Sequence, residues 1–438
     1  MNLRRLYPLH GYPHQRQLWS WISFDVANQS FTLLINTLLF PIFFAKIVVC
    51  DEAIDDRIWA LTFGGSMLLT ALLSPLAGAA ADERAWKKRC LIGSGLLCGS
   101  FTCALAFIQP GQVWLAVLLY VPANFAFAIG ENFLASFLPG LARQDQVGRV
   151  SGFSWAIAYA AALVLLVLTG VAMSGFKLQA TDAWRPFFVF AGLWFIAFLI
   201  PTLLWLREPP APAALPSGRN LLAAGFARLA DSIRSVSRLR DLTMLLGASL
   251  FFGTGMCVVV FFASILAKEY GFTDTDLVRF VAVITVSGIV GTILPTFWQD
   301  RIGHRRSIII LLFVWLATAL GFAGYAHLHE SHAAGSFPTW PLWLIGNLLG
   351  FGLGSLGSAN RAFVGFLAPP GREAETFGMW GMVMKLSAIM TFPFAWVKDS
   401  LGNAAALLVL AGFLAVGLVL TLFIDEHRGA AARGGPVG

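Results

Sequence analysis

The chain has 438 residues, of which 58% are hydrophobic and only 12% charged, whereas a soluble domain averages about 25% charged. That balance points to a polytopic membrane protein and excludes a soluble domain. The net charge of +7 is therefore read from where the basic residues fall along the spans, and not as a nucleic-acid patch.

A helix needs about 20 apolar residues to cross the hydrocarbon. Runs of that kind are predicted over residues 18–48, 58–80, 90–108, 113–137, 150–173, 186–206, 242–267, 278–298, 307–326, 340–366, 376–397 and 403–424. Most of the 30 Lys and Arg fall in the N-terminal stretch, in every second loop, in the centre and in the C-terminal stretch. This positive-inside asymmetry places both termini and the central segment in the cytoplasm. The first 17 residues hold Arg4, Arg5 and Arg16 with Pro8 and Pro13 but no short apolar core followed by a small-residue cleavage site, so no cleavable signal peptide is expected. The centre, 207–218, is rich in Pro and Ala and cannot continue a helix, while 220–240 is basic and amphipathic enough to lie along a membrane surface. The expected organisation is an N-terminal segment 1–17, a six-helix bundle 18–206, a cytoplasmic linker 207–240, a second six-helix bundle 241–424 and a tail 425–438. The fold class is an all-α membrane protein of twelve transmembrane helices in two pseudo-symmetric bundles.

Polar residues within the spans are the candidates for chemistry, because each is costly in lipid unless paired or wetted. In the first span Asp25, Asn28, Thr32 and Asn36 recur at helical spacing and form one stripe. In the fourth, Asn124, Glu131 and Asn132 form a second, below a kink expected at Pro122. The tenth carries Asn347, Ser358 and Arg361 with Gly350 and Gly354 between them, and the eleventh carries Lys385. The topology puts the acidic groups of the first half and the basic groups of the second at comparable depth. Asp25 and Glu131 are thus expected to face Arg361 and Lys385 and to close the cytoplasmic side, or else to pair within their own halves. Burial also makes Glu131, with Asp25 as the second candidate, the group expected to carry a coupling proton. Pro41, Pro201, Pro295 and Pro393, with Pro122, mark helices expected to bend.

Two charged loops share one layout. Gly78, Asp82, Lys87, Lys88 and Arg89 surround the end of the second span, and Asp300, Arg301, Gly303, Arg305 and Arg306 stand between the eighth and ninth. Gly148-Arg149 opens the fifth span as Gly371-Arg372 opens the eleventh, each shortly after a Pro, at nearly the same offset. One module is therefore used twice. An aspartate in such a loop sits well against the positive N-terminal end of a helix. Asp82 is expected to face the start of the eleventh span near Thr376, and Asp300 the start of the fifth near Ser151. These residues, with Arg149 and Arg372, are the expected conformational latch.

The five cysteines show no metal-binding or redox spacing and are expected to be small buried residues. His327, His329 and His332 with Glu330 are expected in a solvated outer loop, without a metal. No nucleophile–base pair, metalloprotease motif or nucleotide-binding loop appears, so neither an enzyme nor an ATP-driven pump is expected, and no cofactor.

The loop pattern of Gly, Asp and basic residues resembles that of the major facilitator superfamily, with Ala85 and Trp86 where it has Gly and Arg, and with Thr296 and His304 departing in the second copy. Within it, Phe24-Asp25-Val26-Ala27-Asn28-Gln29-Ser30-Phe31, Phe40-Pro41-Ile42-Phe43-Phe44, Gly148-Arg149-Val150-Ser151-Gly152 with Trp155, and Pro369-Pro370-Gly371-Arg372-Glu373-Ala374-Glu375 resemble the vacuole-effluxer-like family. Phe24, Val26 and Gln29 depart from its usual residues. The resemblance implies the major facilitator fold and a secondary active transporter, working by rocker-switch alternating access, that effluxes amino acids or similar small molecules. Export of amphipathic compounds, or a sensor or assembly factor that keeps the fold without transporting, are the alternatives. The expected partners are membrane lipid, the small-molecule substrate and protons as coupling ion, with the chain a monomer in a bacterial inner membrane.

Overall fold

The structure is a computed structural model, and it describes residues 14–50, 55–178, 180–208, 239–330 and 338–433. Arg4 and Arg5, most of the linker with its expected amphipathic helix, and His332 lie outside the described residues. The described residues are almost wholly helical and contain no strand. In chain order, α1 runs over Gln15–Leu38 and resumes over Phe40–Val49; α2 is Asp55–Arg84, α3 Lys87–Ala104, α4 Val113–Ser136, α5 Val147–Gly175 and α6 Arg185–Trp205. Then follow α7 Arg240–Glu269, α8 Asp274–Ile293, α9 His304–Glu330, α10 Trp340–Leu367, α11 Glu373–Ile389 with Phe392–Leu401, α12 Asn403–Leu422 and a short α13, Glu426–Arg433. Eleven helices are long and apolar enough to cross a membrane among the described residues, and twelve when the two pieces of α1 count as one span. The protein is a multi-pass integral membrane protein.

The helices respond unequally to the prolines expected to bend them. The first span is not a continuous α-helix: Phe31–Leu38 and Phe44–Val49 are wound with i→i+5 bonds, and the two pieces meet at 41°. Pro41 explains the break, since its ring collides with the carbonyl four residues back and it has no N–H to donate. Pro393 acts in the same way on α11, which is interrupted at Met390 and Thr391. By contrast Pro122 and Pro201 are carried inside unbroken helices. The C-terminal end of α9 corrects the expected histidine-rich loop. His327, His329 and Glu330 are its last helical residues, because no Gly or Pro interrupts the chain there, and His329 meets Tyr270 edge-on at 4.9 Å between ring centroids.

The described residues fall into two compact units. The first takes those within Met1–Leu141, Ile157–Ala230 and Gly371–Met382, and the second those within Ala142–Ala156, Asp231–Pro370 and Val383–Gly438. In the first unit α1 packs on α6, α3 on α4 and α6, and α2 on α4. Its rings cluster round the bend of α1: Phe40 stacks on Tyr120 at 5.3 Å and meets Trp59 and Phe188 edge-on. In the second unit α8 packs on α10, α9 on α10 and α12, and α7 on α12. The α8–α10 approach is backbone to backbone, since a Cβ at Gly350 or Gly354 would come within 2.4 or 2.2 Å of a carbonyl oxygen of α8. Small residues permit such contacts where lipid offers no hydrophobic drive between helices.

Candidate functional site

The polar stripe of α1 begins on ordinary α-helix and runs into the i→i+5 segment. Asp25 and Asn28 are 8% and 2% exposed. The hydroxyl of Thr32 donates to the carbonyl of Asn28 at 3.0 Å, and that of Thr37 to the carbonyl of Thr32 at 2.8 Å, one residue further back than α-helical spacing allows. Asn36 is spent on its neighbours: its Nδ2 donates to Asn124 Oδ1 at 3.0 Å and its Oδ1 accepts from the Tyr120 hydroxyl at 2.9 Å. Asn124 passes the chain on, donating to Ser66 Oγ at 2.7 Å. Asn132, two turns along α4, repeats that bond by donating to Ser74 Oγ at 2.9 Å, and its amide lies against Gly381, where a Cβ would come within 2.2 Å.

Asn28 differs from all of these. Neither its amide nitrogen nor its amide oxygen has a hydrogen-bond partner among the described residues, although both are buried. An unsatisfied buried amide costs about 1–3 kcal/mol, and windings with i→i+5 bonds concentrate at functional sites. Asn28 sits one helical turn after Asp25 and just before such a winding.

The polar residues of the second unit are mostly committed. Asn347 accepts from Ser287 Oγ at 2.6 Å and donates to the carbonyl of Trp343 at 2.8 Å. Ser358 donates to the carbonyl of Ser355, while its own carbonyl accepts from Ser151 Oγ. The buried guanidinium of Arg361 donates to the hydroxyl and to the carbonyl of Ser151, each at 3.1 Å, and lies 5.6 Å above the ring of Trp155. Arg361 therefore braces the first turns of α5. Lys385 is half-buried on α11, as Glu131 is on α4.

The two charged loops are solved differently. In the first unit the Asp82 carboxylate accepts from the backbone N–H of Glu375 at 2.7 Å. Lys87 Nζ lies 2.8 Å from Asp82 and 2.6 Å from Glu373, and the three side chains are 4%, 8% and 18% exposed for Asp82, Lys87 and Glu373. Gly78 admits this approach, since a Cβ there would come within 2.2 Å of the Ala374 carbonyl. Lys88 is half-buried, while Arg89 points outward, because a helix aims only one of three consecutive basic residues inward.

In the second unit Asp300 pairs with no lysine of this kind among the described residues. Its two oxygens accept from the backbone N–H groups of Gly148 and Arg149, at 2.8 and 3.0 Å. His304, at the expected Arg position, is instead buried against Gln299, Phe363 and Phe366. The missing glycine at Thr296 is answered from the opposite helix: a Cβ at Gly152 would meet Thr296 Cγ2 at 2.5 Å and the Thr292 carbonyl at 2.7 Å. Arg301 and Arg306 are exposed, while Arg149 and Arg372 are half-buried. Glu373, Ser151, Gly152 and Gly381 belong to these arrangements although spacing within the spans did not single them out. The Gly-x-x-Gly step over 378–381 is the signal that could have found the last.

Two expected outcomes follow from the loops. Ala85 holds a left-handed backbone, φ +52, which costs a residue with a Cβ about 1–2 kcal/mol. Ala85→Gly should therefore stabilise the purified protein by about 0.5–1 kcal/mol after glycine's extra chain entropy is deducted, read as a higher thermal midpoint. At Asp300, burial outweighs the two N–H donors and Arg149, with Asp145 adding in the same direction, and pushes the carboxyl up to about 6. The docked carboxyl thus holds its proton more tightly than a free one at about 3.9. Its contribution to docking is full below about pH 4 and is lost as the pH rises through about 6. Hydrogen exchange at 148–151, corrected for intrinsic rates, should accelerate between about pH 4 and about pH 6.5 in the wild type, level off above that, and stay flat in Asp300→Asn.

Known proteins resemble this chain over most of its length. The family profile described as "Vacuole effluxer Atg22 like" matches residues 52–148 and 144–434. An uncharacterized MFS-type transporter, YxiO, of Bacillus subtilis is 21% identical, covering 93% of this chain and 94% of its own. Autophagy-related protein 22-1 of Penicillium rubens is 26% identical over 84% of this chain and 75% of its own. Among solved structures, the major facilitator proton:xylose symporter XylE superposes with a TM-score of 0.70 at 14% identity, covering 98% of each chain. The human organic anion transporter MFSD10 does so with a TM-score of 0.68 at 17% identity, covering 93% of this chain and 99% of its own. The fold is that of the major facilitator superfamily.

Proposed function

Because the chain belongs to the Atg22-like vacuole effluxer family, we propose that this transporter is a secondary active effluxer of a small metabolite, an amino acid or a similar compound, working by rocker-switch alternating access with proton coupling. We place it in a bacterial inner membrane, as a monomer with both termini cytoplasmic. The observation that carries the reading is Asn28: a buried amide whose donor and acceptor have no partner among the described residues, one turn from a buried carboxylate, on a helix with i→i+5 winding. Such a group is held at a cost that a ligand offering both a donor and an acceptor relieves. Thr32 and Asp25 share its face, and Glu131 is the carboxyl proposed to carry the coupling proton.

The test is a thermal-shift screen of the purified protein against amino acids and related metabolites, followed by flux of each hit into vesicles at imposed pH gradients. A substrate should stabilise the wild type but not Asp25→Asn. Glu131→Gln should abolish accumulation driven by the pH gradient while sparing substrate exchange. Accumulation that depends on the gradient as before would exclude Glu131 as the proton carrier, and binding without flux would favour a sensor on the same fold.

A further inference from the structure

The helices that follow the two charged loops, α3 and α9, each begin with backbone N–H groups that have no partner inside the helix. In both units the partner is a glutamate that lies just past the last span of its bundle. Glu208, beyond α6, accepts from the backbone N–H of Lys88 at 3.2 Å. Glu426, the first residue of α13, accepts from the backbone N–H of Arg305. It also lies against Gly303, where φ is +97 and a Cβ would come within 2.9 Å of the carboxylate.

The two glutamates stand as far apart in sequence as Asp82 and Asp300 do. The residue two before each, Leu206 and Ile424, is fully or almost fully buried, so both copies read apolar, variable, Glu. The segment that carries Glu426 is held by contacts of its neighbours, while Glu208 Oε1 is buried with no hydrogen-bond partner among the described residues. In the second unit Arg428 holds Asp241 through two bonds, at 2.8 and 2.6 Å, the Asp425 N–H donates to the same carboxylate at 2.8 Å, and Arg305 donates to the carbonyl of Leu422 at 2.6 Å. In the first, Glu208 is pushed up by burial while the N–H groups of Lys88 and Lys87 pull it down.

We propose that Glu208 and Glu426 are a duplicated pair of positioning residues, each fastening the end of its bundle's last span to the helix that carries the charged loop and so holding Asp82 and Asp300 where they dock. A carboxylate at a helix N-terminus is favoured both as a cap and by the helix dipole. It grips backbone and not side chains, which is how two loops with divergent basic residues keep the same placement. That the loops move during transport rests on the function proposed above; that the glutamates place them does not.

The experiment is hydrogen–deuterium exchange by mass spectrometry on the full-length protein in lipid nanodiscs, which needs no substrate, so absence of flux would leave its result standing. Glu426→Ala should speed exchange at 303–307 about tenfold and also at 148–151, where Asp300 docks, while leaving 86–90 unchanged. Glu208→Ala should do the reverse, speeding 86–90 and 374–376. Glu426→Gln and Glu208→Gln, which keep an acceptor, should restore most of the protection. Unchanged exchange at each variant's own loop overturns the proposal, as does acceleration of both loops alike. Acceleration confined to 303–307 or 86–90 reduces the glutamates to local caps and overturns positioning.

Discussion

Lys87→Met is expected to undo the docking of the first charged loop by roughly 3–5 kcal/mol, the usual consequence of removing one partner from a buried ion cluster. Lys87 lies within 2.8 Å of both Asp82 and Glu373, and methionine fills its volume without its charge. Two carboxylates then share one poorly hydrated site, and one of them has to take a proton or the contact has to open. Water relieves both when the contact opens, so the equilibrium moves from docked to open by roughly 10²- to 10⁴-fold. Exchange at 374–376, where the Glu375 N–H donates to Asp82, reads this directly. The triple variant Lys87→Met, Asp82→Asn, Glu373→Gln removes the stranded charges and should recover most of the loss. Protection at 374–376 that survives Lys87→Met would show that the cluster does not hold the loop.

The second loop sets the scale for that effect. Asp300 keeps its two backbone donors but has no counterpart of the Lys87–Glu373 pair in the contacts described, so neutralising it should be far milder than neutralising Lys87. Sequence comparison of the loops shows both as degenerate copies of one pattern. Only the fold shows that the first is held by a buried lysine cluster, and that the second relies on the N-terminus of α5.

The spans were legible because run length is a property of the chain itself, and every predicted span has a helix within a few residues of its bounds. What could not be read was long-range pairing. Asn36, Asn124 and Asn347 look like Asn28 in sequence, yet three are consumed by Tyr120, Ser66 and Ser287 from other helices. Glu208 and Glu426 lay outside the apolar runs, where no periodicity marks them. The i→i+5 winding of α1 was hidden for another reason: residues four apart stay near one face in either winding, so the stripe looks the same.

Asn28→Leu tests whether that stripe serves binding or only the fold. Leucine matches the amide in size and removes two buried polar atoms that have no partner among the described residues, so the ligand-free protein should become more stable by about 1–3 kcal/mol. Recognition should fail in the same variant, because an apolar side chain offers neither a donor nor an acceptor to a substrate; a ligand that stabilises the wild type should no longer shift the thermal midpoint. A residue whose loss strengthens the fold and ends binding is one retained for function against stability. Asn36→Leu supplies the contrast: it strands the Tyr120 hydroxyl and the Asn124 carbonyl oxygen, and should destabilise by a similar amount whether or not ligand is present. Destabilisation by Asn28→Leu would mean that its amide is satisfied in the resting protein, and the binding site would then have to be sought on another face of the bundle.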